Sequence, residues 1–373
     1  MLRCAIWLLL VTLGGCTTTS MQPPPVEKPL PEAPQQASVP TAWRHSSTTE
    51  EAFPAPWWNL LNDPILDDLI VQSLINNPDI RIAEARLSTI RANIAEADAN
   101  EKVTGDSILN AAENDAHAVQ LEVSHAMTIA YADARLAEKR KELLLQRMHL
   151  ARDLTARLNR KLQAGLTNSR TLREAEQSEI ETRQAATRVH QDFLHATQRL
   201  ALLSGVTPVE FTLPPSGQFF SHRLSVHPDA PNIVIKRRPD VQAAWQRLLA
   251  ASSSETETDD DMPLTTQVEQ TDSTQSVREA LYRKSVLAAL NEVETALADW
   301  RSANTVAKSS QDALDIQVGN LRDTERELAS GRISQIELLK AQVLENIAIE
   351  NALLAMHAQR IAFAAAQLAL ARD

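Results

Sequence analysis

The stretch that decides the fold occurs twice in the chain. The first copy is Leu162-Gln163-Ala164-Gly165-Leu166-Thr167-Asn168, and 166 residues later the second copy is Leu328-Ala329-Ser330-Gly331-Arg332-Ile333-Ser334. Each copy places one glycine between two long helical patterns that are rich in Ala and Leu. Because glycine tolerates positive φ, it can end one helix and let the chain reverse. The sequence therefore predicts two helical hairpins with Gly165 and Gly331 at their tips.

A second pair of segments indicates that the hairpins belong to a duplication. Pro78-Asp79-Ile80 recurs 161 residues later as Pro239-Asp240-Val241, and each copy precedes its hairpin in the same order. Aromatic residues are 4% of the chain and glycines number only 8, which favours helix nearly throughout. We therefore predict an all-α fold of two pseudo-repeated, long antiparallel coiled-coil hairpins.

The N-terminus is typical of a secreted protein. Residues 1–15 have the charge and apolar core of a signal peptide, and Leu13-Gly14-Gly15-Cys16 follows that core directly. The alternative is an ordinary signal peptide with an incidental cysteine. Residues 16–56 are rich in Pro, Ser and Thr and predict a semi-extended tether. Trp43 either packs back on the body or stays solvated.

The remaining chain divides into helical repeat 1 (57–208), a linker (209–231) and helical repeat 2 (232–373). Asp63 and Pro64 predict a capped helix that stops at Asn76-Asn77. Apolar residues seven apart predict left-handed supercoiled seams. These residues are Leu136, Leu143 and Leu150 before the first tip, and Ile347, Leu354, Ile361 and Leu368 after the second. Periodicity alone fits any antiparallel coiled coil.

Several longer motifs resemble a known family. Trp57-Trp58 through Asp63-Pro64-Ile65-Leu66-Asp67, then Asn77-Pro78-Asp79-Ile80 and Arg237-Arg238-Pro239-Asp240-Val241, are similar to the repeat openings of the outer-membrane factor (TolC-like) family of efflux and secretion ducts. Leu-Gly-Gly-Cys resembles a lipobox and points to the lipoprotein (NodT-type) branch. The resemblance implies that Cys16 is acylated, and Thr17, rather than Asp, implies the outer membrane.

The resemblance also implies a homotrimeric periplasmic helical cylinder with four strands per protomer in a shared β-barrel. Membrane strands need about 9–11 alternating residues each. The candidate places are residues 100–107, after which helix is predicted to resume by about Ile108, and residues 252–275, which are polar and read as a solvated loop. Neither has the required alternation. We therefore predict little or no β-barrel, with membrane attachment through the acyl chains.

By the same resemblance, the tips face a periplasmic adaptor protein and an inner-membrane pump. The adaptor-facing candidates are Gly165, Leu166, Thr167, Gly331 and Arg332; the alternative is that they only form turns. Two acidic residues of the family's aperture ring correspond to Glu337 and Lys340 here, so the second position has the opposite charge. The alternative for this pair is an ion pair on a solvated helix face.

Other functional classes find little support in the sequence. His117 and His125 lack a third metal ligand, and no catalytic constellation or phosphate-binding loop stands out, so neither enzyme activity nor a cofactor is expected. The net charge of −11 argues against a nucleic-acid partner.

Two functions remain as hypotheses, with a non-assembling gene product as a third possibility. The first is the outer-membrane efflux component of a tripartite export system, a passive duct on the periplasmic face of the outer membrane of a Gram-negative cell. The second is a lipid-anchored periplasmic coiled-coil interaction protein that does not conduct.

Overall fold

The computed structural model describes residues 39–44, 56–96, 101–215, 224–253 and 264–372. At 101–103 and 253–274 only the helical backbone is described. The elements are a 3₁₀ helix (Trp57–Leu61), α1 (Pro64–Asn76), α2 (Pro78–Glu96), α3 (Glu101–Gln163), α4 (Ser169–Leu203), α5 (Pro231–Arg237), α6 (Pro239–Ser253), α7 (Leu264–Ala329) and α8 (Gln335–Ala369). No strand occurs within these ranges, and the predicted all-α fold is confirmed.

The duplication is visible in the order and length of the helices. α1–α4 form repeat 1 and α5–α8 form repeat 2; α3 and α7 contain 63 and 66 residues, and α4 and α8 contain 35 each. At 1.5 Å per residue the long helices extend about 95–100 Å and their partners about 50 Å. Each short helix therefore pairs with only the tip-side half of its long partner.

Two helix starts differ from the sequence predictions. α3 begins at Glu101 rather than near Ile108, and α7 begins at Leu264, inside the segment 252–275 that was predicted to be a polar loop. Polar residues cost only tenths of a kcal/mol each in a helix, whereas every added residue extends an existing hydrogen-bond ladder. The polar stretches therefore continue the long helices. Residues 97–100 and 254–263 lie outside the described ranges.

The helices of the tip-side half form one layer in the order α4, α3, α8, α7. α3 packs against both α4 and α8, and α7 packs against α8. In the other half α2 lies on α3, and α6 lies between α3 and α7. The layer therefore has two edges, one formed by α2 and α4 and the other by α7. We call the level at which α4 and α8 end and α2 and α6 begin the waist.

The α3–α4 seam repeats every seven residues, as predicted, but one residue away from the predicted row. The buried pairs of rows are Ala137, Leu144, Ala151 and Leu158 on α3, and Ala175, Thr182, Val189 and Ala196 on α4. Leu136 and Leu143 of the predicted row are also buried, and Leu150 is half-buried. A repeat of seven on both helices is the pattern of a left-handed supercoil.

The row predicted on α8 is wrong for its first two members. Ile347 and Leu354 are 37% and 38% exposed, while Ile361 and Leu368 are half-buried. The face that α8 buries instead includes Asn346, Glu350 and Arg360. An apolar pattern could not reveal this face, because its polar side chains are paired with α3 as described below.

The largest apolar cluster lies at the waist and joins the repeats. The Trp57 ring lies 6.2 Å from that of Phe363, and Trp300 lies 5.8 Å from Phe363 on its other side. Asp63 caps α1 as predicted, accepting hydrogen bonds from Ile65 N at 3.0 Å and Leu66 N at 3.4 Å. Of the helices within the described ranges, none has both the length and the apolar character needed to cross a bilayer.

Candidate functional site: tips, layer edges and the α3–α8 contact

The two tips have the same backbone construction. Gly165 and Gly331 have φ values of 71° and 73°, and each donates its N–H to a carbonyl three residues back, at 2.9 Å. The space that a Cβ would occupy at either glycine is open. The positive φ, rather than crowding, is what requires glycine here.

The candidate adaptor-facing residues lie at the solvent surface. Leu166 is 74% exposed; Gly165, Gly331 and Arg332 are exposed, and Thr167 is half-buried. The Arg332 guanidinium donates to Ser330 Oγ at 2.9 Å. A turn needs the glycine but gains nothing from an exposed leucine. Leu166 is therefore the tip side chain that a role as a simple turn leaves unexplained.

The Glu337 carboxylate is engaged within its own tip. It accepts the Ser334 N–H at 2.6 Å and the Ser334 hydroxyl at 2.9 Å, and this pair forms a capping box at the start of α8. The two hydrogen bonds lower the pKa of Glu337. Lys340 is exposed one helical turn further on. The sequence analysis missed this box, although Ser-x-x-Glu after a tip glycine is its readable signal.

A polar cluster links α3 of repeat 1 to α8 of repeat 2. Glu350 accepts hydrogen bonds from Arg140 Nε at 2.9 Å and from an Arg147 NH group at 2.7 Å. Asn346 accepts from Arg147 Nε at 2.8 Å and donates to Leu143 O at 3.1 Å. Burial disfavours the ionised Glu350, but the two arginines outweigh it and lower its pKa.

A second cluster lies nearer the waist and joins three helices. Asp133 of α3 contacts His357 Nε2 of α8 at 2.8 Å and Arg199 of α4 at 3.3 Å. The groove beside it, also lined by Asp192 and His195, has a volume of about 260 Å³. Sequence reasoning missed both clusters. The available signal was polar side chains seven apart, as at Arg140 and Arg147 or Glu350 and His357.

Both edges of the layer leave a heptad-spaced row exposed. On α4, opposite the row that faces α3, the exposed residues are Gln177, Ile180, Gln184, Thr187, Gln191, Leu194 and Gln198. On α7, opposite the row that faces α8, they are Ser302, Val306, Ser309, Ala313, Ile316 and Asn320. Spacings of four and three residues are those of a coiled-coil seam. Each edge helix thus carries a second seam that has no partner in the described chain.

The remaining predicted residue, Cys16, lies outside the described residues. Across the described side chains no group of three or more His, Cys, Asp and Glu is arranged to hold a metal ion. Burial lowers the pKa of His125 to about 4, which favours its neutral form.

Comparison with solved structures finds the same fold over most of the chain. The outer-membrane channel OprN superposes with a TM-score of 0.75 at 18% identity, covering 92% of this chain and 98% of that one. The CmeC outer-membrane channel of Campylobacter jejuni gives 0.76 at 12% identity, covering 92% and 93%. The open state of the MtrE outer-membrane channel of Neisseria gonorrhoeae gives 0.74 at 15% identity, covering 92% and 97%.

No family model matches the sequence, and no curated protein matches it. At these identities the similarity establishes the fold alone. The chain has the helical fold of outer-membrane channels, and the solved structures that share it are channel proteins rather than enzymes.

Proposed function

We propose that this protein is the outer-membrane component of a tripartite export system, a member of the TolC-like outer-membrane factor family in its lipoprotein branch. Its helical body would act as a passive duct that docks a periplasmic adaptor and an inner-membrane pump. The observation that carries the proposal is the open helical layer, which has an unpartnered coiled-coil seam on each edge. The shared fold supports the same reading.

Closure of the layer into a homotrimer follows from the two edges. A head-to-tail contact between different faces generates a ring when the rotation closes. α4 runs away from the tip and α7 runs toward it, so α7 of one protomer can lie antiparallel to α4 of the next. Counted from the tips, Ile180 lies level with Ile316, and Leu194 lies level with Val306. Apolar side chains then meet at two levels of the seam.

Disulfide crosslinking tests this ring. The only cysteines of the chain are Cys4 and Cys16, so introduced pairs report without background from the helical body. We expect Ile180→Cys with Ile316→Cys, and Leu194→Cys with Val306→Cys, to give covalent trimers on oxidation. The matched control is Ile180→Cys with Val306→Cys, whose levels differ by roughly 18 Å along the helices and which should not crosslink. Equal crosslinking of matched and mismatched pairs would count against the ring.

Docking of the adaptor is assigned to the tips, at Gly165, Leu166, Thr167, Gly331 and Arg332. Glu337 and Lys340 are assigned to the aperture, where three copies of each would converge. A photo-crosslinker in place of Leu166, used in the native envelope, should capture the adaptor, whereas one in place of Leu145, exposed midway along α3, should not. Capture of the same partner from both positions would contradict docking through the tip.

Acylation of Cys16 would anchor the protein at the periplasmic face of the outer membrane. Mass measurement of the mature N-terminal peptide tests this directly. A diacylated Cys16 is expected, and an unmodified N-terminus would remove the anchor from the proposal. Replacement by serine should then move the protein from the membrane fraction to the periplasmic fraction.

A second candidate is a lipid-anchored coiled-coil interaction protein that trimerises and docks without conducting. The observation favouring it is the short connection between α2 and α3, where residues 97–100 are fewer than one membrane strand requires. Recording of single channels from purified trimer in planar bilayers separates the candidates. Reproducible conductance supports the duct, and silence from a verified trimer supports the second candidate.

A further inference from the structure

Residues 39–44 pack on repeat 2, although they precede repeat 1 in the chain. Trp43 is only 5% exposed and lies in an apolar socket formed by Val234, Val293, Leu297 and Leu370. Its indole N–H donates to Asp229 O at 2.7 Å. Both parts of the side chain, the apolar ring and its polar N–H, are therefore satisfied.

The residues on either side of Trp43 are also held. Arg44 donates its backbone N–H to Glu294 Oε1 of α7 at 2.9 Å. Val39 packs against a cluster that contains Ile235 and Val241. The six residues thus contact α5, α6, α7 and α8, which are all four helices of repeat 2. We call residues 39–44 the strap.

The chain then continues into repeat 1 through a second buried tryptophan. Trp57 lies in a cluster with Met127 and Tyr131 of α3. With the offset of 166 residues these two positions correspond to Val293 and Leu297, which line the Trp43 socket. Each repeat is therefore covered by one tryptophan at equivalent waist positions, and both tryptophans come from the same N-terminal segment.

We infer that the strap couples the N-terminal tether to the waist of repeat 2 and, through Trp57, links the two repeats. Tension on the tether then reaches the body at Trp43 and not at the start of repeat 1. This consequence rests on the proposed acylation of Cys16, whereas the socket itself does not. The roughly 27 residues from Cys16 to Trp43 can extend about 80 Å. The distance from Val293 to the start of α7 is about 44 Å, so the tether reaches that end with Trp43 seated.

Trypsin cleavage after Arg44 tests the strap in the full-length protein. Cleavage needs the strap to detach locally, so the rate at which a new N-terminus appears at His45 reports how firmly Trp43 is seated. Trp43→Ala should raise this rate on the order of 100-fold, because a buried tryptophan is removed. Thr41→Ala is the matched control, since Thr41 lies in the strap with its side chain exposed, and it should leave the rate unchanged.

Two milder variants keep the test decisive if Trp43→Ala fails to fold. Trp43→Phe retains an aromatic ring but cannot donate to Asp229 O, and Glu294→Ala removes the acceptor for Arg44 N–H; each should raise the cleavage rate by a smaller factor. A wild-type rate equal to that of Trp43→Ala, or no increase in either mild variant, would overturn the strap.

The same reaction on outer-membrane vesicles separates the strap from the anchor. With Cys16 acylated, the cut after Arg44 should release the helical body from the vesicles, and release should be faster for Trp43→Ala. Protection of Arg44 should be equal in Cys16→Ser protein. If that variant is protected but wild-type protein was never bound to vesicles, the proposed anchor fails and the strap stands. If protection is lost in both, the strap fails.

Discussion

The waist is built twice, and the two versions share a backbone while differing in their side chains. Gly205 ends α4 at φ 69° and Ala371 ends α8 at φ 47°, and both donate to the carbonyl three residues back. In repeat 1 the last carbonyl of α4, Leu203 O, accepts from Asn77 Nδ2 at 3.1 Å. In repeat 2 the corresponding Ala369 O accepts from Arg238 at 2.8 Å.

The difference shows what the duplicated architecture requires at this place. It needs a left-handed residue after the return helix and a buried donor from the residue before the next Pro-Asp start. Asn77 also caps α2, accepting from Asp79 N at 2.8 Å, whereas Arg238 instead binds Asp240 and Glu292. An amide and a guanidinium therefore perform the same task, because the backbone geometry around them is the same.

The largest expected effect comes from making the two left-handed positions alike. Gly205→Ala should lower the free energy of unfolding by at least about 3 kcal/mol, since alanine disfavours positive φ. Its Cβ would also lie 2.3 Å from Asn76 O, which is backbone and cannot move aside easily. Urea unfolding followed by circular dichroism measures the loss. An unchanged midpoint would mean that the waist of repeat 1 is as open as that of repeat 2.

The next prediction breaks the contact between the repeats rather than either waist. Glu350→Gln should cost about 2–3 kcal/mol at pH 7, because Arg140 and Arg147 lose a buried counter-charge. The folded pKa of Glu350 is lowered, so its ionic contribution is present above the unfolded pKa of about 4.3 and is lost as pH falls through the lower folded value. The difference between wild type and variant should therefore shrink below about pH 4. A difference independent of pH would contradict the ion pair.

Asn77→Asp separates the two roles of Asn77. Aspartate keeps the oxygen that caps α2 but removes the donor to Leu203 O, and the buried carboxylate faces a carbonyl, so a loss of about 2 kcal/mol is expected. The control is Asn168→Asp at the first tip, where an exposed asparagine caps α4 through Oδ1 alone, accepting from Thr171 N at 2.9 Å. Thermal midpoints should show a drop for the first variant only. Equal effects would mean that the cap, not the donor, matters at the waist.

The smallest effect is expected at the second left-handed position. Ala371→Gly relieves about 1 kcal/mol of conformational strain but loses a buried methyl group and gives the unfolded chain more freedom. These effects offset one another, and the free energy of unfolding should change by less than about 1 kcal/mol. The urea midpoint checks this. A large loss would show that the Ala371 methyl group has a packing role that Gly205 lacks.

The sequence alone determined the architecture, because the governing signals are local. Tip glycines, Pro-Asp helix starts and the seven-residue period are set by backbone sterics and helix geometry, and they carry directly into the structure. The same local logic identified Gly165 and Gly331 as tips and Asp63 as a cap. It misplaced the starts of α3 and α7, since composition suggests a loop where a long neighbouring helix simply continues.

Only the tertiary structure decided which faces are buried and what fills them. α8 turns Ile347 and Leu354 outward and buries Glu350, because Arg140 and Arg147 lie across from it more than 200 residues away in the chain. Trp43 was left between two readings until its socket on repeat 2 was seen. A buried charge or a tethered tryptophan is stable only when distant groups meet it, and no local pattern encodes where those groups will be.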